Sequence, residues 1–298
     1  MKNRRINILL AFFVLLFFAE DCNKETNIPT GTLLPKTTNS MPKPDHIVIA
    51  IEENHAYSQI IGSDSAPYIN SLVADSFSAI FINSYAITYP SQPNYLDLFS
   101  GSDQGVANDD HPGSEPFTTS NLGRQLINAG KSFVSYSESL PAVGYNGDIA
   151  GAYARKHNPA ANWMGSGVNQ IPPTTNQPFT AFPADYTKLP TVSFVIPDLD
   201  NDMHDGTISM GDSWLKNNLD KYIQWAKTHN SLFVLTFDED DKKDNNHIVT
   251  IFCGSMVKGS PYSGIINHYN ILRTIENMYG LPYSGNAANV TTITGWWR

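Results

Sequence analysis

Tyr89-Pro90-Ser91-Gln92-Pro93-Asn94-Tyr95-Leu96, closed by Gly101, is the stretch from which the fold can be read. An apolar run, residues 77–86, precedes it, and an apolar face of Leu96, Leu98 and Phe99 follows. That order spells strand, turn, helix. Pro93 suits a first helical turn, where its missing N–H breaks no bond, and Gly101 suits the stop. Ser91 is therefore expected at or near an N-cap, among free backbone N–H groups at the positive end of a helix dipole. A hydroxyl there can simply cap the helix. It can also attack a phosphorus atom whose oxygens the same N–H groups hold. What ends the other strands separates the two.

Outward from this turn, six short apolar runs read as strands: residues 46–51, 77–86, 132–136, 191–196, 232–237 and 248–252. Several are continuously apolar and β-branched, as strands buried on both faces of a mostly parallel sheet are. Between them Ile69, Leu72 and Val73 share one helical face, as do Leu122, Leu126 and Ile127. Leu215, Leu219, Tyr222, Ile223 and Ala226 form a longer stripe, and Ile271, Leu272, Ile275 and Met278 form another before Gly280. This alternation predicts an α/β fold, a three-layer α/β/α sandwich around a mostly parallel central sheet. Residues 142–188, rich in Pro, Asn, Gly and aromatics, read as a loop-rich insertion covering one edge of the site.

The chain has 298 residues, 41% of them apolar and 11% aromatic, enough for a substantial core. A net charge of −9 and a pI near 5.3 exclude a nucleic-acid backbone as the main partner. An acidic protein that binds phosphate needs a local cation, and a metal ion is the obvious source. Lys2, Arg4 and Arg5 precede an apolar run at 6–19, a secretory pattern too short for a membrane span. Residues 1–22 are expected to form the export signal. Cys22 stands where a lipoprotein cysteine would, although Glu20 and Asp21 depart from the usual small residues. Residues 23–43 read as a flexible tether and residues 44–298 as a single domain. The expected address is exported, periplasmic or at the cell surface, with membrane attachment through lipid on Cys22. Cys253, the other cysteine, is expected in the core, and the chain is expected to be a monomer.

Ligands of open α/β sheets bind at the carboxyl ends of the strands, and polar residues gather there. The first strand runs into Glu52-Glu53-Asn54 and the second leads to Ser91. The fourth ends in Asp198-Leu199-Asp200-Asn201-Asp202-Met203-His204-Asp205, the fifth in Asp238-Glu239-Asp240-Asp241, and His247 opens the sixth. Each acidic loop alone is an ordinary solvated face. Several on one rim repel one another, and a cation with oxygen ligands relieves that repulsion.

These segments, in this order, resemble the bacterial and fungal phosphoesterase family of secreted acid phosphatases and phospholipase C-type enzymes, within the alkaline phosphatase-like superfamily. The matching pieces are Glu52-Glu53-Asn54-His55 through Gly62, Tyr89–Tyr95 through Gly101, and Asn201-Asp202-Met203-His204-Asp205. Thr236-Phe237-Asp238-Glu239 and His268-Tyr269 through Glu276 complete them. The resemblance implies that Glu53, Asn54, Asp238 and Glu239 hold a divalent metal and that Ser91 is the nucleophile. It further implies that His204 and His247 contact phosphate oxygens or protonate the leaving group. His157, in Arg155-Lys156-His157-Asn158-Pro159, matches a His-Asn-Pro segment of the family and would help bind phosphate. Asn94 would donate to a phosphate oxygen or tie down the turn.

Two-zinc alkaline phosphatases carry Asp-His where this chain has Asp238-Glu239. A carboxylate in place of imidazole favours Mg²⁺, Mn²⁺ or Ca²⁺ over Zn²⁺. Asp200 and His204 are spaced to serve a second metal, so one or two ions are compatible with the sequence. His111 and Asp109–Asp110 follow the Ser91 helix closely enough to line the pocket. His46, His55 and His229 read as structural or exposed, and His268 as either a helix-start residue or a catalytic one.

The function expected is an extracytoplasmic, metal-dependent phosphomonoesterase of acid phosphatase type, acting through a phosphoseryl intermediate on a phosphorylated small molecule. One alternative is a phosphodiesterase or phospholipase C acting on phospholipid headgroups, with Trp163, Met164, Phe179 and Phe182 as an apolar entrance. Others are a phosphoinositide phosphatase and a surface lipoprotein that binds without catalysis.

Overall fold

The computed structural model describes residues 40–298. The expected export signal, Cys22 and all but the end of the expected tether lie outside the described residues. Among these residues the main sheet has eight strands. From one edge to the other they are β11 (Ser260–Tyr262), β2 (Ser78–Phe81), β10 (Thr250–Cys253), β9 (Ser231–Phe237), β1 (His46–Glu52), β8 (Val192–Ile196), β4 (Phe133–Ser137) and β7 (Asn176–Pro178). Every pairing is parallel except those of β10, which runs against both β9 and β2.

The centre of the sheet is buried on both faces, and β1 shows how. Ile47, Ile49 and Ile51 pack into one cluster with α3 (Ser91–Ser100), α4 (Leu122–Asn128) and α6 (His268–Tyr279). Val48 and Ala50 face a second cluster built on α2 (Pro67–Val73) and α5 (Ile208–Ala226). α1 (Tyr57–Ile60) is a single turn after β1. Strict alternation on a continuously apolar strand yields three layers, the α/β/α sandwich that the pattern predicts. The same parity sends Glu53 toward the α3 side and Glu52 toward the other.

Two expected strands have different bounds. The run 77–86 is broken, because the chain leaves the main sheet after Phe81 and pairs β3 (Ser84–Tyr85) with β12 (Ile266–Asn267). The sixth strand starts at Thr250, since Ile248 instead donates its N–H to the Ser84 carbonyl at 2.9 Å. Residues 142–188 hold the hairpin β5 (Ile149–Ala150) and β6 (Tyr153–Ala154), strand β7 and several 3₁₀ turns. This segment also fills core: Trp163 is fully buried, its ring 5.3 Å from Phe99 and 5.0 Å from Phe117. Phe179 and Phe182 pack instead on the α5 layer, against Trp214 and Tyr222. The four apolar residues expected to flank a lipid entrance therefore do not form one surface.

Candidate active site

Ser91 opens α3, one position inside the helix, with Pro90 at the N-cap. All ten residues of α3 are buried. Gly101 ends the helix at φ +71°, and a Cβ there would run into the Ser284 backbone, so only glycine fits. The turn ahead of Ser91 is stitched by Asn94. Its Oδ1 accepts the N–H groups of Ile87 and Thr88 at 3.1 Å each, and its Nδ2 donates to the Thr88 carbonyl at 2.8 Å. A further contact of that amide, Nδ2 to Glu239 Oε2 at 3.3 Å, joins the turn to the end of β9.

Glu53 is the hub. Fully buried just past β1, it accepts the Ser91 hydroxyl at Oε2 (3.0 Å) and the Tyr95 hydroxyl at Oε1 (2.6 Å). His157 Nε2 lies 3.2 Å from the same Oε1. The His157 ring stacks on Tyr95 at 5.2 Å and meets Asp202 Oδ2 through Nδ1 at 2.9 Å. Asp238 joins from β9, its Oδ1 accepting the backbone N–H of Asn54 at 3.2 Å and of Glu239 at 2.6 Å. Asn54 adopts φ +56°, a left-handed conformation that asparagine tolerates.

So many carboxylates in a dry site are costly to ionise together. Burial raises Glu53 well above the carboxylate range, with Asp238 and Asp202 adding to it. Burial likewise pushes Asp238 up to about 7, Asp202 up to about 8 and Glu239 up to about 9, the last helped by Asp238. Burial drives His157 far down, which keeps its imidazole neutral. The Tyr95 hydroxyl draws Glu53 back down, His204 does so for Asp202 and Lys242 for Glu239, and the Lys156 ammonium adds to all three.

The remaining expected residues fall as follows. His204 lies at the opening, its side chain 28% exposed, with Nδ1 2.7 Å from Asp205 and Nε2 2.9 Å from Lys156 Nζ. His247 sits elsewhere, stacked between Tyr57 (4.6 Å) and Tyr85 (5.1 Å) with Nε2 3.0 Å from the Ile82 carbonyl. Among the described residues no contact joins it to Ser91 or Glu53. Asp200 is exposed, whereas Asp202 is the acid of that loop that turns inward. His268 is buried, 2.9 Å from the Phe237 carbonyl, while the α6 N-cap is Asn267. Tyr95, Asp202 and Lys156 belong to the site without having been assigned from sequence. Tyr95 was hidden in an apolar helix face, and Lys156 stands beside His157 in the His-Asn-Pro segment.

The donor set suits a divalent cation. Glu53, His157 and His204 offer ligand atoms within 4.8 Å of one another. The Asp238 carboxyl lies against Ser91 and Glu53, and its Oδ2 is buried without a hydrogen-bond partner. Mixed carboxylate and imidazole donors fit Mg²⁺, Mn²⁺ or Zn²⁺ by charge and hardness.

The fold, a mostly parallel sheet between helical layers, has solved counterparts in the alkaline phosphatase superfamily. A Vibrio parahaemolyticus protein of that superfamily superposes with TM-score 0.58 at 12% identity, over 85% of this chain and 71% of that one. Residues 63–282 match the Phosphoesterase family, and the chain belongs to it. A Mycobacterium tuberculosis protein named phosphatidylinositol-3-phosphatase is 47% identical over 264 residues, 87% of this chain and 85% of that protein. A probable acid phosphatase of Kluyveromyces lactis is 30% identical over 81% of this chain and 62% of its own length. The chain is an enzyme that hydrolyses phosphoric esters.

Proposed function

We propose that the chain is a metal-dependent phosphomonoesterase in which Ser91 is the nucleophile. The observation that carries this reading is the Ser91 hydroxyl on Glu53 Oε2 at 3.0 Å, at the first position of a buried helix. Glu53, in its ionised form, accepts the hydroxyl proton as Oγ attacks phosphorus. The Oγ–P bond forms while the bond to the leaving alkoxide breaks, giving phosphoserine. Water then cleaves the P–Oγ bond and restores Ser91. His204, at the opening, is placed to pass a proton to the departing oxygen. His157, neutral and pinned between Tyr95, Glu53 and Asp202, holds its Nε2 toward the reacting centre.

Glu53, Asp238 and Glu239, with His157 or His204, are the residues that would hold the metal. When bound, a divalent ion lowers the hydroxyl pKa and offsets the charge of the crowded carboxylates. Asn54 reaches the site through its backbone N–H, and Asn94 supports the turn; a side-chain role for either toward metal or phosphate belongs to this proposal. His247 is left out of the chemistry by its tyrosine stack.

The M. tuberculosis relative supports a second reading of the substrate, the 3-phosphate of an inositol lipid. Export and a lipid anchor on Cys22 would put the enzyme beside such lipids, and that address rests on the N-terminal sequence alone. The test compares p-nitrophenyl phosphate, bis-p-nitrophenyl phosphate and phosphatidylinositol 3-phosphate vesicles, with and without chelator, beside Ser91→Ala. Monoester turnover lost with both chelator and Ser91→Ala supports the proposal. Turnover of the diester alone, or undiminished turnover by Ser91→Ala, overturns it.

A further inference from the structure

The loop after α3 brings one more carboxylate to the site than this chemistry uses. Asp109 Oδ1 accepts the backbone N–H of Gln92 at 3.0 Å, and Oδ2 accepts the Lys156 ammonium at 3.0 Å. Gln92 returns the contact, its side-chain amide donating to the carbonyls of Asn108 and Asp110 at 3.0 and 2.8 Å. The loop tip is thereby seated on the start of α3, beside a cleft of about 230 Å³ that Gln92, Asp109 and Lys156 help to line. Gln92 follows Ser91 directly, and its N–H is one of the free donors that a helix start aims at an anion. With two oxygens Asp109 makes the pair of contacts that two oxygens of a phosphoryl group would make.

Around Ser91 itself, two buried polar atoms make no hydrogen bond, although His157 Nε2 lies 3.2 Å from Glu53 Oε1. His157 Nε2 and Asp238 Oδ2 are buried without a hydrogen-bond partner, on residues each 1% exposed. They point to a ligand that protein groups do not replace, next to a cradle that a protein group does fill. The electrostatics favour an exchange. Asp109 adds a further carboxylate to a site where Glu53, Asp202, Asp238 and Glu239 are already buried together. A phosphate monoester carries more charge than one carboxylate, so Lys156 gains by changing partner. Asp109 is the movable party: its side chain is 32% exposed, and no helix or strand lies between α3 and α4.

We propose that Asp109 is an internal stand-in for the substrate's phosphoryl group. It occupies the Gln92 N–H and Lys156 Nζ until substrate displaces it, and Lys156 then positions the phosphate beside Ser91. The inference rests on the phosphomonoesterase reading above and assigns that site its anion-binding cation and its internal competitor.

The probe is inorganic phosphate, with binding to the metal-loaded full chain measured by calorimetry and competition measured against p-nitrophenyl phosphate hydrolysis. Asp109→Asn keeps the shape and removes the competing charge. Phosphate should bind it about tenfold more tightly, as when the competent form rises from about one-tenth of the population to nearly all of it. KM should fall by the same factor. Lys156→Gln should weaken phosphate binding about tenfold or more, the loss of one charge-assisted hydrogen bond, and Lys156→Arg should restore part of it. In the Lys156→Gln background, Asp109→Asn should tighten phosphate binding by clearly less than about tenfold, because one of the two contacts it contests is gone.

Unchanged or weaker phosphate binding by Asp109→Asn, at an unchanged melting temperature, overturns the inference; if that variant does not fold, Asp109→Ser is judged by the same criterion. The inference also fails if Lys156→Gln binds phosphate as wild type does. Failure of the wild type to hydrolyse the monoester overturns the functional reading instead, and the calorimetric arm still judges the stand-in by itself.

Discussion

Tyr95→Phe removes a single oxygen from the centre of the site. The hydroxyl donates to Glu53 Oε1 at 2.6 Å, and Tyr95 and Glu53 are 1% and 0% exposed. Water cannot replace it. A hydrogen bond to a charged acceptor contributes about 1.5–3 kcal/mol, and a short one with both ends buried belongs in the upper half, about 2–3 kcal/mol. For a domain of this size, at roughly 2–4 °C per kcal/mol, that is a fall in Tm of about 5–10 °C. The ring, and so its stacking on His157 at 5.2 Å, is kept. The catalytic loss therefore reports how firmly Glu53 is held. Partners of a metal-binding side chain typically contribute 10–100-fold, so kcat/KM should fall by about that much. The assay is a thermal melt beside monoester hydrolysis at saturating metal. A Tyr95→Phe protein that melts and turns over like wild type, or melts higher, refutes the view that Glu53 works as a carboxylate anchored by this hydroxyl.

Other perturbations test the scaffold and the metal. Asp97, buried within α3, is pushed up to about 7 by burial against the ordinary carboxylate value of 3.8. The folded chain thus holds this proton more tightly than the unfolded one. Its stabilising contribution is complete below about pH 4 and is lost as pH rises toward 7, a difference of at most about 4 kcal/mol. Asp97→Asn should therefore gain stability relative to wild type between pH 5 and pH 8, measured as the difference in Tm. Gly101→Ala should cost about 1 kcal/mol for the left-handed backbone and more for the collision with Ser284, read from a denaturant melt with a matching loss of activity. Chelation should abolish hydrolysis, metal add-back should restore it, and Asp238→Asn should raise the metal concentration needed for half-activity.

Much of the architecture was legible because its causes are local. Continuous apolar strands, the Pro93 start and the Gly101 stop are short-range signals, and they place Ser91 at a helix entry on the rim of a mostly parallel sheet. The strand-end argument also brings Glu53, Asp238 and Glu239 to that rim. What sequence could not supply was direction. Asp200 and Asp202 are both acids on one loop, and only the fold turns Asp202 toward His157. His247 was drawn to the site by its place before β10, but Tyr57 and Tyr85 claim its two faces. Trp163 suited a surface entrance by composition, and the core around Phe99 took it. Tyr95 counts as an apolar helix residue until the hydroxyl meets Glu53. Lys156 and Asp109 lie far apart in sequence, so their meeting at Gln92 is a fact of topology alone.

The central claim is that phosphate passes through Ser91. The most direct measurement is rapid acid quenching of the metal-loaded enzyme during turnover of a monoester, followed by peptide mass spectrometry. The account predicts one phosphate on the peptide carrying Ser91, absent when Ser91→Ala is quenched in the same way. Steady turnover with no label on Ser91, or hydrolysis by Ser91→Ala at the wild-type rate, would contradict it.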